Sequence, residues 1–239
     1  ELDRVSNGDI DWKEVLREFW LQSSPDLVVS LVPNFGRAIY EGLKAAHPRT
    51  PLVTVLTDLA DYPPDFWVVP NQDQFYVCGT PKAYHQAQMA GYTPDRLFLV
   101  SGMVLHPKFY ATPEVDRVME RRRLGLHPDL PTGLILFGGQ GSTVMRPILE
   151  RVEDSGIDVQ FIAICGKNDS LRDSLSRRKW RMPVYVEGFT TEVPYYMRLS
   201  DFFIGKPGPG SISEAARLHL PVILERNAWT LPQERYNTD

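Results

Sequence analysis

A glycine- and proline-rich segment near the end of the chain has the residue types of an anion-binding loop. Residues 205–211 (GKPGPGS) follow a short apolar strand pattern, and a helical pattern continues to Leu218. A strand, a glycine loop and a helix N-terminus in this order direct free backbone N–H groups and the positive end of the helix dipole at an anion. The segment is therefore a candidate phosphate site.

The same segment has a second interpretation that needs no ligand. Ser211 and Glu214 have the Ser-x-x-Glu spacing of a capping box, in which two side chains satisfy the first amides of a helix. In the anion-site interpretation, Glu214 lies one turn inside the helix, where its carboxylate accepts hydrogen bonds from sugar hydroxyls. Both interpretations stay open from this segment alone.

Three further motifs follow or lie beside apolar strand patterns. Residues 138–142 (GGQGS) come after 134–137 (LILF), and they match neither a Walker A loop, since no Lys follows, nor a GxGxxG loop. Gly188 and Phe189 follow the strand pattern at 184–187. Near the end of the chain, residues 232–237 (PQERYN) are polar.

These four motifs resemble, in order and spacing, the donor domain of the GT-B glycosyltransferases of family 28. The resemblance covers roughly residues 132–237, and residues 25–30, 54–59 and 101–107 resemble the second half of the family's acceptor domain. The upstream segments are more similar to the monogalactosyldiacylglycerol synthases and processive diacylglycerol glucosyltransferases than to the peptidoglycan branch of the family.

The resemblance implies inverting transfer of a hexose from a UDP-sugar to a lipid acceptor such as diacylglycerol, at a membrane surface. It implies that Glu214 binds the ribose, that the Gly188-Phe189 backbone frames the uracil, and that Gln233 and Glu234 read sugar hydroxyls. The implied donor-binding residues are Gly139, Gln140, Gly141, Gly188, Phe189, Gly208, Pro209, Gly210, Ser211, Glu214, Gln233, Glu234 and Asn237. No cofactor or metal is expected, because amides and a helix dipole would stabilise the leaving diphosphate, and no His, Cys or Asp cluster has metal-ligand spacing.

The general base is not evident from the sequence. In the family, a catalytic His lies on a glycine-rich loop at the start of the acceptor domain, and nothing in this chain matches that loop. Asp58, at the end of an apolar strand pattern, is the acidic candidate, with an Asx-turn or loop cap as the alternative. The five histidines are expected to be structural or exposed.

Two other functions stay open. A nucleotide-sugar epimerase of the same fold would use the same donor loops, but it needs acid–base carboxylates and His near the sugar. A non-catalytic donor-binding module would need a partner chain for its acceptor half. UDP release measured with and without diacylglycerol separates a transferase from an epimerase.

Composition narrows the class of protein. The 239 residues carry a net charge of −4, with 43% hydrophobic and 23% charged residues, which is ordinary for a globular protein and gives no support for nucleic-acid binding. No run of like charge is longer than residues 121–123 (RRR), which are expected on a solvated helix face beginning at Thr112. No apolar run has the length of a membrane span. Cys78 and Cys165 lie far apart and are expected to be reduced and buried, which favours the cytoplasm, with peripheral membrane association implied by the resemblance.

Alternating strand and helix patterns predict the elements that position these motifs. The fold class is α/β of the GT-B type, with two Rossmann-like lobes of parallel strands and the first lobe incomplete. Residues 1–106 are expected to form part of the acceptor-side domain, and residues 107–239 a nucleotide-sugar donor domain truncated at its C-terminal end. The chain is thus expected to be a piece of a longer protein. Ligands of open α/β sheets bind at the carboxyl ends of the strands, where all four motifs are predicted.

Overall fold

The chain forms two compact units. A computed structural model describes residues 10–111, 113–228 and 230–238. The first unit contains the residues up to Val104 together with Leu231–Asn237, and the second contains Leu105–Thr230. The sequence-based division after residue 106 assigned 231–237 to the second domain, whereas the structure groups these residues with the first unit. Thr112, the expected start of one helix, lies outside the described residues.

The first unit is built on four parallel strands in the order β1-β2-β3-β4. Each crossover returns the chain to the same end of the sheet, as is usual for parallel pairs. Its elements in chain order are α1 (Trp12–Ser23), β1 (Val28–Ser30), α2 (Gly36–Ala46), β2 (Leu52–Val55), β3 (Phe75–Cys78), α3 (Pro81–Met89) and β4 (Leu97–Leu99).

The start of α3 agrees with its sequence pattern. Thr80 accepts a hydrogen bond from the Ala83 amide, and Pro81 occupies the first helical turn, where its missing N–H costs nothing. The helix α1 was not predicted. Its start is fixed by Asp11, whose carboxylate accepts the amides of Lys13 and Glu14.

The second unit has five parallel strands in the order β7-β6-β5-β8-β9. Its core lies on both faces of the sheet, and every residue of β5 and β6 is buried, as expected for central parallel strands. Its elements are α4 (Arg117–Arg123), β5 (Thr132–Leu136), α5 (Met145–Ser155), β6 (Gln160–Ile164), α6 (Asp169–Arg177), β7 (Val184–Glu187), α7 (Val193–Arg198), β8 (Phe202–Gly205), α8 (Pro209–Arg217) and β9 (Val222–Leu224). The predicted parallel α/β fold is confirmed.

The expectation that the arginine run is solvated is wrong for one of its three residues. Arg121 is buried, and its guanidinium donates to the backbone oxygens of Leu199 and Pro128 and to the carboxylate of Asp201. Asp201 in turn accepts the amide of Thr132. Arg121 therefore ties α4 to the starts of β5 and β8.

Two further expectations concern burial and length. Both cysteines are free and buried, as predicted. Among the described helices, none combines the length and the apolar character that a membrane crossing requires.

Candidate functional site

The five strands of the second sheet end side by side. Leu136, the last residue of β5, pairs with Ile164 of β6 on one side and with Gly205 of β8 on the other. Glu187 and Leu224 end the two outer strands in the same row. The loops that follow β5, β6, β7 and β8 therefore begin at one edge of the sheet.

The strand order reverses between β5 and β8. The chain runs from β5 outward through β6 to β7, and then returns to the opposite side of β5 as β8. At such a switch point neighbouring loops diverge above and below the sheet and leave a crevice for a ligand. The two glycine loops, 138–142 and 206–211, flank this crevice.

The capping-box interpretation of Ser211 and Glu214 is wrong. The helix α8 begins at Pro209 with Gly208 as its N-cap, so that Ser211 already lies in the first turn, and no side chain caps the helix. Pro209 has no N–H, and the amides of Gly210 and Ser211 lie in the first turn, where an amide has no carbonyl partner within the helix. These two amides can therefore donate hydrogen bonds to an anion.

Two kinds of glycine make up these loops. Gly141 has a φ of +69°, and a Cβ there would overlap the carbonyl oxygen of Cys165, so the fold itself requires glycine. The Lys167 amide donates to the Gly139 oxygen, which fixes the loop against the one that follows β6. In contrast, a Cβ on Gly139 or Gly210 would meet no protein atom within 4 Å. The space beside these two glycines is open to a ligand.

A lysine that the sequence analysis did not single out lies between the loops. Lys206 follows β8 directly, and its Cε lies 3.6 Å from the position that a Cβ on Gly138 would take. The side chain thus extends from the β8 loop to the β5 loop. A cation at this point adds to the positive potential of the α8 N-terminus.

Glu214 faces a cavity within the second unit. The cavity has a volume of about 390 Å³, and its other lining residues are His106, Lys108, Phe109, Thr191, Val193 and Pro194. Burial raises the pKa of the Glu214 carboxyl from 4.5 to about 7. A ligand that donates hydrogen bonds to this carboxyl would stabilise its charged form and offset the effect of burial.

The end of β7 is held by a network of hydrogen bonds. Burial acts to raise the pKa of Glu187, but hydrogen bonds from the Tyr196 hydroxyl, the Gly188 amide and the Tyr185 hydroxyl outweigh it and hold the pKa below its ordinary value. Gly188 is therefore buried and fixed. Phe189 is exposed, and the Lys167 ammonium lies 5.3 Å from the centre of its ring.

The remaining candidate residues lie in the first unit. Asp58 and Glu234 are both buried, and Gln233 and Asn237 are half-buried. Burial raises the pKa of Asp58, the Trp67 indole N–H donates to it at 2.8 Å, and the nearby charge of Glu234 raises its pKa further. The structure thus brings together a candidate base and the carboxylate expected to read sugar hydroxyls. Glu234 belongs to the short helix α9 (Pro232–Arg235).

The loop-cap alternative for Asp58 applies to a neighbour instead. The carboxylate of Asp61 accepts the backbone amides of Trp67 and Asp65, and this is a loop-capping role. Among the described hydrogen bonds of Asp58, the donor is the Trp67 side chain rather than an amide. Asp61 therefore shapes the loop that carries Trp67, and Trp67 in turn orients Asp58.

His106 is exposed, as expected, and its Nδ1 accepts the Lys108 amide. It also lines the same cavity as Glu214, which the sequence did not indicate. Because His106 and Glu214 are far apart in sequence, only the fold reveals this proximity. Within the described ranges, no group of three or more His, Cys, Asp or Glu side chains has the arrangement of a metal site.

Part of the second unit, including the loops that follow β5, β7 and β8, matches a known protein family. Residues 134–225 match the family model described as the glycosyltransferase family 28 C-terminal domain. A probable monogalactosyldiacylglycerol synthase 2, chloroplastic, from Oryza sativa subsp. japonica is 31% identical over 213 residues, which are 85% of this chain and 45% of the relative. The chain thus spans less than half the length of this relative.

Solved structures share the fold at low identity. The crystal structure of Acinetobacter baumannii MurG gives a TM-score of 0.62 at 12% identity, over 94% of this chain and 59% of that one. A co-structure of S. aureus MnaA with UDP gives a TM-score of 0.62 at 15% identity, over 90% and 62% of the two chains. The chain therefore has a GT-B fold, within which residues 134–225 match the C-terminal domain of glycosyltransferase family 28.

Proposed function

We propose that the chain is part of an inverting, UDP-sugar-dependent glycosyltransferase that moves a hexose to a lipid acceptor such as diacylglycerol. The observation that carries the proposal is the set of groups at the switch point of the second sheet. Two glycine loops, the cation of Lys206 and the α8 N-terminus converge there within a family 28 domain. The name of the rice relative, a probable monogalactosyldiacylglycerol synthase, supports a diacylglycerol acceptor. Peripheral contact with a lipid surface is part of the proposal, because such an acceptor lies in a membrane.

The donor fits these groups part by part. The diphosphate accepts hydrogen bonds from the amides of Gly210 and Ser211 and lies near the ammonium of Lys206. Its oxygens occupy the open space beside Gly139 and Gly210. The Glu214 carboxyl accepts hydrogen bonds from ribose hydroxyls, and the backbone of Gly188 and Phe189 lies against the uracil. UDP in the co-structure of a protein with the same fold supports this choice of nucleotide.

The reaction is a single displacement at the anomeric carbon. An acceptor hydroxyl oxygen forms the new bond to that carbon from the face opposite the diphosphate. The bond from the carbon to the phosphate oxygen breaks, UDP leaves with the bonding electrons, and the hydroxyl proton passes to a general base. Negative charge develops on the leaving oxygen, where preorganised amides and the Lys206 cation stabilise it most.

The base within this chain is Asp58. A carboxylate whose pKa is raised by burial and by the charge of Glu234 is a stronger proton acceptor than one in water. The indole N–H of Trp67 holds one carboxylate oxygen. Glu234 and Gln233 would orient sugar hydroxyls beside it.

Charge stabilisation by protein groups makes the reaction independent of metal ions. Two amides, a helix N-terminus and an ammonium supply positive potential where a divalent cation would otherwise act. Activity is therefore expected to persist in excess EDTA.

A nucleotide-sugar epimerase is the second candidate. The observation in its favour is that two buried carboxyl groups, Asp58 and Glu234, interact electrostatically in the first unit and could serve as an acid and a base. An epimerase converts one UDP-sugar into its epimer and needs no lipid. A transferase releases UDP only when the acceptor hydroxyl is present.

The test is UDP release from UDP-galactose and UDP-glucose, each with and without diacylglycerol in mixed micelles. A transferase gives release that depends on diacylglycerol and a glycolipid of inverted anomeric configuration. Interconversion of the sugar with no effect of diacylglycerol would favour the epimerase and reject the transferase.

A further inference from the structure

Three hydrogen-bond donors converge on one carboxylate at the end of β7. The Tyr196 hydroxyl donates to Oε2 of Glu187 at 2.6 Å, and the Tyr185 hydroxyl donates to the same oxygen at 3.0 Å. The amide of Gly188, the next residue in the chain, donates to Oε1 at 2.8 Å. A carboxylate only accepts hydrogen bonds, so it can take all three donors at once.

The packing of the sheet holds this cluster in place. Tyr185 and Glu187 lie on the same face of β7, because side chains two residues apart in a strand point to the same side. Tyr196 comes from α7, and its ring stacks on that of Tyr185 with the ring centres 6.0 Å apart. Although burial acts to raise it, the pKa of Glu187 stays below its ordinary value because of the hydrogen bonds, so the carboxylate is charged at neutral pH.

The peptide unit that joins Glu187 to Gly188 is fixed on both sides. Its C=O belongs to Glu187 and accepts the Cys165 amide at 2.8 Å. Its N–H belongs to Gly188 and is bound by the Glu187 carboxylate. Because Gly188 is buried and its amide is already bound, this amide is not available to a ligand.

The next residue offers a donor and an acceptor. In the part of the chain that the structure describes, neither the amide nor the carbonyl oxygen of Phe189 has a hydrogen-bond partner, and the residue is exposed. The N–H and C=O of one residue can pair with an acceptor and a donor that lie side by side, as they do between antiparallel strands. Uracil presents such a pair at O4 and N3–H, whereas cytosine presents an amino group at C4 and acceptors at N3 and O2.

We propose that Glu187 is a positioning residue for the nucleobase, which selects uracil over cytosine by withholding the Gly188 amide from the ligand. The inference rests on the proposed function, in which the backbone of Gly188 and Phe189 lies against the uracil. Without the carboxylate, the buried Gly188 amide lacks an acceptor, and it gains from any acceptor that a ligand offers. Successive amides can converge on one ligand, so those of Gly188 and Phe189 would then donate to N3 and O2 of cytosine.

Calorimetric titration of the 239-residue chain with UDP, CDP and inorganic pyrophosphate tests the inference. The proteins compared are the wild type, Glu187→Ala, Glu187→Gln and Tyr196→Phe. Glu153→Ala is the matched control, because Glu153 is also a carboxylate of the second unit that accepts a backbone amide, that of Arg181. Glu153 lies in the last turn of α5, which runs from the end of β5 back toward the opposite edge of the sheet.

The wild type is expected to bind UDP at least about tenfold more tightly than CDP, within the usual range for a two-point base contact. In Glu187→Ala this preference falls below about threefold, while the Kd for pyrophosphate stays within about twofold of the wild type. Glu187→Gln keeps an acceptor for the Gly188 amide, and the tyrosine hydroxyls can accept from its NH₂ group, so most of the preference returns. Glu153→Ala loses stability and keeps the preference.

An unchanged preference for UDP in Glu187→Ala would overturn the inference and leave the proposed function standing. Equal weakening of UDP, CDP and pyrophosphate would also overturn it, because Glu187 would then act on the fold alone. If Glu187→Ala does not fold, Tyr196→Phe decides, since it removes one donor to Glu187 and keeps the ring; a preference equal to that of the wild type rejects the inference. A wild-type chain that binds UDP and CDP equally rejects the inference alone, and one that does not bind UDP rejects the proposed function with it.

Discussion

At the scale of single residues, the loops contain glycines that the fold requires and glycines that leave room for a ligand. Gly141 is required by its positive φ and by its contact with the Cys165 carbonyl. Gly210 has a φ that other residues adopt and no protein atom near its missing Cβ. The fold therefore does not require glycine at position 210, and the missing side chain leaves room for a ligand in front of the α8 N-terminus.

Replacing Gly210 by Ala is expected to weaken UDP binding without loss of stability. The methyl group meets no protein atom, and Ala favours a helix over Gly by up to about 1 kcal/mol. In the crevice it displaces a phosphate oxygen, and the Kd for UDP rises by about tenfold, or about 1.4 kcal/mol. Titration calorimetry and urea unfolding measure the two effects.

Gly141→Ala is the control for this prediction. The strained φ and the overlap with Cys165 should lower the free energy of unfolding by about 1–3 kcal/mol. If Gly210→Ala destabilises the protein as much as Gly141→Ala does, or leaves the Kd unchanged, the assignment of Gly210 to the diphosphate is wrong.

The raised pKa of Glu214 predicts a dependence of stability on pH. Its pKa is about 7 in the folded protein against an ordinary value of 4.5. Between these values the folded protein keeps a proton that the unfolded chain has released, so the free energy of unfolding falls as pH rises through this window. The stability is fully present below pH 4.5 and lost above pH 7.

Glu214→Gln removes this titration while keeping the shape of the side chain. The variant should gain stability relative to the wild type as pH rises from 5 to 8, as measured by urea unfolding at each pH. Parallel profiles for the two proteins would show that Glu214 titrates normally.

At the scale of elements, the sequence predicted where the strands end and where the two glycine loops lie. It predicted the first residues of the helices less accurately. The bounds of β8 and β9 agree with their apolar patterns. The start of α8 was misjudged because Ser211 and Glu214 fit a capping box, while Pro209 at the first helical position was the stronger signal. Sequence spacing could not reveal that His106 shares a cavity with Glu214, since tertiary packing alone unites them.

The burial of Arg121 was also beyond sequence reasoning. The three consecutive arginines are equivalent in sequence, and only the tertiary contacts of Arg121 with the segments that precede β5 and β8 show that it is the buried one. Its guanidinium satisfies buried carbonyls and the carboxylate of Asp201.

Arg121→Ala is expected to lower the free energy of unfolding by about 1–3 kcal/mol, because it leaves the backbone oxygens of Leu199 and Pro128 without their buried guanidinium donor, while Asp201 keeps its hydrogen bonds from Arg117 and the Thr132 amide. Arg122→Ala is the matched control from the same run, since Arg122 is exposed, and it should change stability by less than about 0.5 kcal/mol. Thermal unfolding of the two variants gives the comparison. Equal effects would mean that the run acts as a solvated helix face after all.

At the scale of the whole molecule, the two units carry different candidate functions. The second unit holds the glycine loops, Lys206 and Glu214. The first unit holds Asp58 beside Glu234, with Gln233 and Asn237 on the same returning segment. Binding of the nucleotide and removal of the acceptor proton are thus expected to be separable by mutation.

Asp58→Asn is expected to reduce sugar transfer to diacylglycerol by about 10²–10⁴-fold, the usual contribution of a general base. The Kd for UDP should stay within about twofold of the wild type, because the nucleotide contacts lie in the second unit. Glu153→Gln, a change at a buried carboxylate of the second unit that pairs with Arg178, should retain transfer per folded molecule. A comparable loss of transfer in both variants would remove Asp58 as the base.

The most direct measurement is calorimetric titration of the 239-residue chain with UDP and with uridine, both in excess EDTA. If the switch point of the second sheet binds a diphosphate through amides and Lys206, UDP binds at one site per chain and uridine binds at least about tenfold more weakly, or about 1.4 kcal/mol less favourably. Equal affinities for UDP and uridine, or UDP binding that requires added Mg²⁺ or Mn²⁺, would contradict a metal-independent diphosphate site between the two glycine loops.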